Sequence, residues 1–149
     1  MQMIENKCIN ILAMIVLLVS CTTEEELSEF SLTTLNSSNE SLTIEIYDIG
    51  GLFQSVALEP NSMSECNYSS RIFRGFSQCN NSERGIDSVI IRFQNGKGYC
   101  CKSSLDNVFC LAAKELFVNN PETFEQLGER EYRFTITQED FDNAFDLPE

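Results

Sequence analysis

From residue 41 to 49 the chain alternates strictly, with Leu42, Ile44 and Ile46 on one side and Thr43, Glu45 and Tyr47 on the other. Successive side chains of a strand leave opposite faces, so a period of two fits a half-buried strand and not an amphipathic helix. The pattern recurs along the chain. Residues 52–58 offer a second strand with Val56 and Leu58 inward, after a Gly50-Gly51 turn and before Pro60-Asn61. Residues 87–93 aim Val89, Ile91 and Phe93 inward and face Tyr99-Cys100-Cys101 across Asn95-Gly96. That dipeptide suits the positive φ angles of a tight hairpin. Residues 131–137 repeat the alternation with Tyr132, Phe134 and Ile136. Short strands separated by turns predict a mostly β, antiparallel, sandwich-like (immunoglobulin-like) domain with one or two short helices. An α+β sheet is the alternative architecture.

Phe109, Ala112, Ala113, Leu116 and Phe117 recur at helical spacing, which predicts a short amphipathic helix stopped by Asn119-Asn120-Pro121. Pro121 can open a further helical turn towards Leu127. Thr137-Gln138-Glu139-Asp140 has the form of an acidic capping box, opening a terminal helix through Phe141 and Phe145. Between the second and third strands lie a polar, cysteine-bearing stretch, an apolar piece at 71–76 and a loop at 78–85. Residues 21–39 are rich in Ser, Thr, Asn and Glu and read as a flexible acidic tether, with at most a weak strand near 30–35. The expected single domain is then 40–149.

Lys7 precedes an apolar run from Ile9 to Val19 that only Asn10 interrupts. A membrane-spanning helix needs about 20 apolar residues, whereas the core of a signal peptide needs fewer. Leu18-Val19-Ser20-Cys21 follows and resembles the lipobox of bacterial lipoproteins. The resemblance implies a signal peptide at 1–20, counted from Met1 or Met3, and a mature chain attached to the membrane through acylated Cys21. An ordinary secretory signal, or a short membrane anchor, with a chance cysteine is the competing explanation. The next residues, Thr22-Thr23-Glu24-Glu25-Glu26, are similar to the surface-export signal of Bacteroidetes-type lipoproteins. This likeness implies an outer-membrane location, with the cell surface favoured over the periplasmic face. A solvated acidic linker explains the same run.

A wider pattern is similar to the small uncharacterised lipoproteins of Bacteroidetes-type bacteria. It comprises residues 39–46, Asp87-Ser88-Val89-Ile90-Ile91-Arg92-Phe93 with its Asn95-Gly96-Lys97 turn, and residues 132–141 from Tyr132 to Phe141. These are structural elements, and the resemblance implies no particular activity.

Cysteine is the one unusual residue of the domain. Setting aside Cys8 and Cys21 leaves Cys66, Cys79, Cys100, Cys101 and Cys110. In an oxidising compartment structural disulfides are the default. We expect one bridge between Cys66 and Cys79 and another from Cys100 or Cys101 to Cys110. Neighbouring strand positions point to opposite faces, so only one of Cys100 and Cys101 can serve. Five is odd, and the remaining thiol is expected to be buried. No Cys-x-x-Cys pair is present to suggest a metal site or a thioredoxin-like redox centre.

The chain has no His, which removes Ser-His-Asp and Cys-His catalysis and most zinc sites. Its net charge of -13 opposes nucleic-acid binding and electrostatic adhesion to anionic membranes. Glu139, Asp140, Asp142 and Asp146 cluster near the end but lack the alternating ligands and glycine turn of a calcium loop. Four Asn-x-Ser sequons, at Asn36, Asn39, Asn67 and Asn80, are expected by chance in an Asn/Ser-rich chain. Asp87-Ser88-Val89 is similar to a Bacteroidetes-type O-glycosylation acceptor, although its place at a strand start argues for structure. The sequence thus predicts a membrane-tethered, non-catalytic binding or accessory module without cofactor or metal, contacting a protein or glycan. An enzyme using acidic residues and a purely structural envelope component are the alternatives.

Overall fold

The computed structural model describes residues 26–81, 85–104, 107–112 and 114–147. The expected signal peptide, Cys21 and the acids before Glu26 lie outside them. Among the described residues, β1 (Ser28–Asn36), β4 (Met63–Ser70), β7 (Phe124–Gln126) and β8 (Glu131–Ile136) form one sheet, in the order β4-β1-β8-β7. A second sheet holds β2 (Leu42–Asp48), β3 (Gly51–Leu58), β5 (Ile86–Phe93), β6 (Lys97–Lys102) and β9 (Phe145–Asp146), in the order β3-β2-β5-β6-β9. Neighbours run antiparallel except β1 and β8, which are parallel. The architecture is a mostly β, sandwich-like fold.

The core lies between the sheets. Ile44, Ile46, Val89, Ile91, Phe93 and Tyr99 enter it from the second sheet, and Leu32, Tyr68, Phe134 and Ile136 from the first. Aromatic rings fill much of it. Phe73 stacks on Tyr132 with centroids 3.6 Å apart and meets Phe124 edge-on at 5.1 Å, while Phe76 meets Phe134 edge-on at 5.6 Å. Such rings bury large apolar areas, and their offset and edge contacts add about 0.5–1.5 kcal/mol per pair.

The weak strand expected near 30–35 is present and longer: residues 28–36 are not tether but β1, a central strand flanked by β4 and β8, so the domain begins before residue 40. Phe30, Leu32, Thr34 and Asn36 are its buried positions, and the two polar ones disguised the alternation. Asn36 is completely buried yet fully satisfied. Its Nδ2 donates to the carbonyls of Glu40 (2.8 Å) and Leu58 (3.2 Å), and its Oδ1 accepts from Ser38 N (3.1 Å) and Ser38 Oγ (2.7 Å). This clasp ties the β1–β2 link to the end of β3, so the Asn36 sequon is interior.

Other expectations are corrected too. The polar stretch at 63–70 is β4, whose inward residues are Cys66, Tyr68 and Ser70. The helix expected at 109–117 is absent among the described residues there, which form turns instead. Leu111 and Leu116 are buried against the core from these turns, so apolar residues here are taken up without a helix. After Pro121 the helical turn ends quickly, and the chain becomes β7. The capping box at Thr137 forms as expected, with Asp140 N donating to Thr137 Oγ1 at 3.2 Å and Thr137 N to Asp140 Oδ2 at 2.7 Å. Its helix α1 (Gln138–Asp142) is short, and Phe145 belongs to β9.

The 3-10 segment Gly75–Asn81, which follows β4, depends on its first residue. Gly75 has φ +55, and a Cβ there would collide with the Leu116 carbonyl and stand 2.7 Å from Phe124 Cζ. Gly75→Ala combines left-handed strain with overpacking and is expected to destabilise the domain by about 2 kcal/mol. Urea unfolding measures this, and an unchanged midpoint would count against the packing described.

Candidate functional site

Beyond Lys102 the chain crosses towards β7, and it is fastened to β6 as it goes. Cys101 faces inward and bridges Cys110, with Cα atoms 4.6 Å apart. Lys102 N donates to Asn107 Oδ1 at 2.6 Å, while Asn107 Nδ2 donates to the carbonyls of Lys102 (3.0 Å) and Ser104 (3.2 Å). Cys100 N donates to the Phe109 carbonyl at 2.8 Å, so the returning segment runs beside the strand. Farther on, the carbonyls of Leu116 and Phe117 accept from Phe76 N (2.9 Å) and Ser77 Oγ (2.8 Å). Glu115 N donates to the buried Thr123 Oγ1 at 3.0 Å. Between these turns and the end of β6 lies a cleft of about 590 Å³, lined by the Cys101–Cys110 bridge, Lys102, Asn107, Lys114, Glu115 and Glu122 among others. Its volume falls within the range of small-molecule sites.

Lys114 is held at the cleft wall. Its Nζ donates to Asp140 Oδ2 at 2.6 Å and to the Thr135 carbonyl at 3.2 Å, and it lies 5.6 Å from the Phe134 ring centroid. Asp140 Oδ2 also accepts from both Thr137 N and Thr137 Oγ1, at 2.7 and 2.9 Å. The terminal acids therefore do not converge on one point. Asp140 pairs with Lys114, and Asp142 accepts from Gln138 Nε2 at 3.0 Å. Among the described residues, no group of three or more His, Cys, Asp or Glu side chains is placed to hold a metal ion. The cleft offers hydrogen bonds and charges of both signs to a polar ligand. Neither Asn107 nor Lys114 carried a sequence signal, because the Asn107 amide closes an irregular local turn and the Lys114 salt bridge depends on tertiary approach.

The five domain cysteines divide as Cys66–Cys79, Cys101–Cys110 and a free Cys100. Cys66 and Cys79, with Cα atoms 5.5 Å apart, join β4 to the 3-10 segment on the core side. The remaining thiol was expected to be buried; Cys100 is instead partly exposed, because Cys101 takes the inner face and turns its neighbour outward. It stands opposite Ile90 of β5. Ser88 of the expected O-glycosylation motif is buried in β5, whereas Asn39, Asn67 and Asn80 are exposed.

Two phenols are tuned by this packing. Burial pushes the Tyr68 and Tyr99 hydroxyls from 10.0 up to about 12, with the charge of Asp140 adding to the rise at Tyr99. Tyr99 Oη donates to the Asp140 carbonyl, and Tyr68 Oη accepts from Arg74 N at 3.1 Å. A folded-state pKa above the unfolded one gives stability that is complete below pH 10 and lost as pH rises through about 12. Phenolate absorbance of these two tyrosines should therefore appear late and together with loss of the β circular-dichroism signal. Their ionisation near pH 10 in the folded protein would contradict the burial. In the comparisons with known proteins, no family model, no curated protein and no solved structure matches the chain.

Proposed function

We propose that the chain is a lipid-anchored envelope lipoprotein whose β-sandwich acts as a non-catalytic binding or accessory module. The observation that carries this reading is Leu18-Val19-Ser20-Cys21, placed after an apolar run and seven positions before β1. Two disulfides in one small domain support an oxidising compartment. Acylation at Cys21 with more than one chain would hold the protein on a bilayer stably. The acids after Cys21 support the outer membrane and its surface-facing leaflet. For the module itself, the supporting features are a core filled with aromatic side chains and a chain without His. The cleft beside Cys101–Cys110 and the exposed edge strand β3 offer contacts to a protein or glycan partner.

The test is intact mass and peptide mapping of unreduced protein taken from native membranes. The expected product begins at acylated Cys21 and carries two disulfides. Cys21→Ala should move the protein from the membrane to the soluble fraction. An unmodified Cys21 in membrane-bound protein would sink the anchor, and turnover of a substrate in the cleft would sink the non-catalytic assignment.

A further inference from the structure

The two ends of the sandwich differ. The β1–β2 and β3–β4 links, residues 37–41 and 59–62, lie at the end held by the Asn36 clasp. The opposite end therefore gathers the start of β1, the tip of the β2–β3 hairpin, the exit of β4 and the turn between β7 and β8. Of the eleven large apolar side chains left exposed among the described residues, six stand on this end: Leu27, Ile49, Leu52, Phe53, Ile72 and Leu127. Ile49 is 77% exposed, Leu27 60%, and Leu52 and Ile72 57% each. They come from four separate chain segments, so their gathering is a property of the fold. Scattered surface apolar residues need no explanation, but a concentration of them marks a contact surface.

The same end is where β1 leaves towards Cys21. Seven residues reach at most about 25 Å, so an anchor at Cys21 would keep this end against the bilayer. Charge does not select a partner here, because Arg71, Arg74, Lys102 and Arg130 share the end with a similar number of Asp and Glu side chains. Apolar contact does. We propose that this apolar crown is a membrane-docking surface: Ile49, Leu52, Phe53, Ile72 and Leu127 enter the headgroup and acyl boundary of the membrane and fix the orientation of the domain on it. The proposal rests on the anchor reading above. Side chains of this kind settle about 5–10 Å into the headgroup and acyl boundary. The clasp end, carrying Met63 and several acids, then points away from the membrane.

The chain contains no Trp, so one substitution at a time makes a clean reporter. Acylated full-length Ile49→Trp, Ile72→Trp, Leu127→Trp and Met63→Trp proteins would be placed on phosphatidylcholine vesicles with and without brominated acyl chains. All four positions are exposed, and circular dichroism verifies the fold. The first three should lose most of their emission to the brominated lipid and shift to the blue, while Met63→Trp keeps its emission. Mass spectrometry and flotation of the same samples separate the two ideas. Acylated, floating protein with an unquenched crown overturns docking and leaves the anchor standing. Protein without an acyl chain overturns both. A blue shift without bromine quenching would mean that the crown covers a protein surface, and that also overturns docking on lipid.

Discussion

Replacing Cys66 and Cys79 together with Ala is expected to lower the unfolding free energy by about 3 kcal/mol, and breaking Cys101–Cys110 by about 2.5 kcal/mol. The loops closed are 13 and 9 residues in sequence separation, so the difference follows from loop entropy and is small. The positions matter as well. Cys66 sits on β4, an edge strand paired on one side only, and Cys79 is wholly buried in the 3-10 segment. Without the bridge, that edge and the segment carrying Phe73 and Phe76 are joined by packing and the Arg74 N–Tyr68 Oη bond. Small domains are stable by about 5–15 kcal/mol, so losing both bridges removes a large share of the total. Urea unfolding with and without dithiothreitol measures the sum. Cys100→Ala serves as control and should leave the midpoint near that of the parent. Equal midpoints in oxidised and reduced protein would refute the structural role of the bridges.

The second large effect is expected at Asn36. Asn36→Ala takes a donor from the buried Leu58 carbonyl and the part-buried Glu40 carbonyl and leaves Ser38 N without its acceptor, and should cost about 2–4 kcal/mol by the penalty for unmade hydrogen bonds. Asn36→Asp keeps the shape but aims a carboxylate at the carbonyls of Glu40 and Leu58. A buried charge without a counter-ion costs about 3–5 kcal/mol, so Asp should be the worse of the two at neutral pH. The deficit of the Asp variant should shrink as the pH falls and the carboxyl is protonated. Equilibrium unfolding at several pH values provides the comparison. An Asp variant as stable as the parent would mean that the clasp is open to water.

Much of the sandwich was legible in the sequence, and the reason is local. Leu42, Ile44 and Ile46 alternate with polar residues because one face of β2 meets the core and the other meets solvent. Asn95-Gly96 announced its hairpin because Gly96 must adopt φ +84. Thr137 and Asp140 are three residues apart, so their capping box is written in adjacent letters. The disulfide pairing was partly legible for the same reason, since each bridge spans a short separation. The choice between Cys100 and Cys101 needed the register of β6 on β5, where Val89 faces Cys101.

What escaped was set by distant partners. β1 places Thr34 and Asn36 at inward positions, polar residues that only the Asn36 clasp and neighbouring strands make acceptable. β4 hides its alternation in Cys66, Tyr68 and Ser70. Phe109, Ala112, Leu116 and Phe117 imitate a helix by spacing alone, while the bridge at Cys110 and the bond from Cys100 N hold that segment along β6 instead. The cleft was invisible for the same reason: its walls come from residues whose meeting depends on the finished fold. The apolar crown was equally hidden, being spread over residues from 27 to 127.

The central place of β1 also decides how the molecule bears load. A pull applied at the N-terminal side of β1 acts along the strand, and its backbone bonds to β4 on one side and β8 on the other are strained together. An edge strand pulled from its free side would open one bond at a time, at low force. Here the ladders must shear as a unit. Tension between a fixed base and a grasped partner would therefore be met by one of the most resistant directions this architecture has.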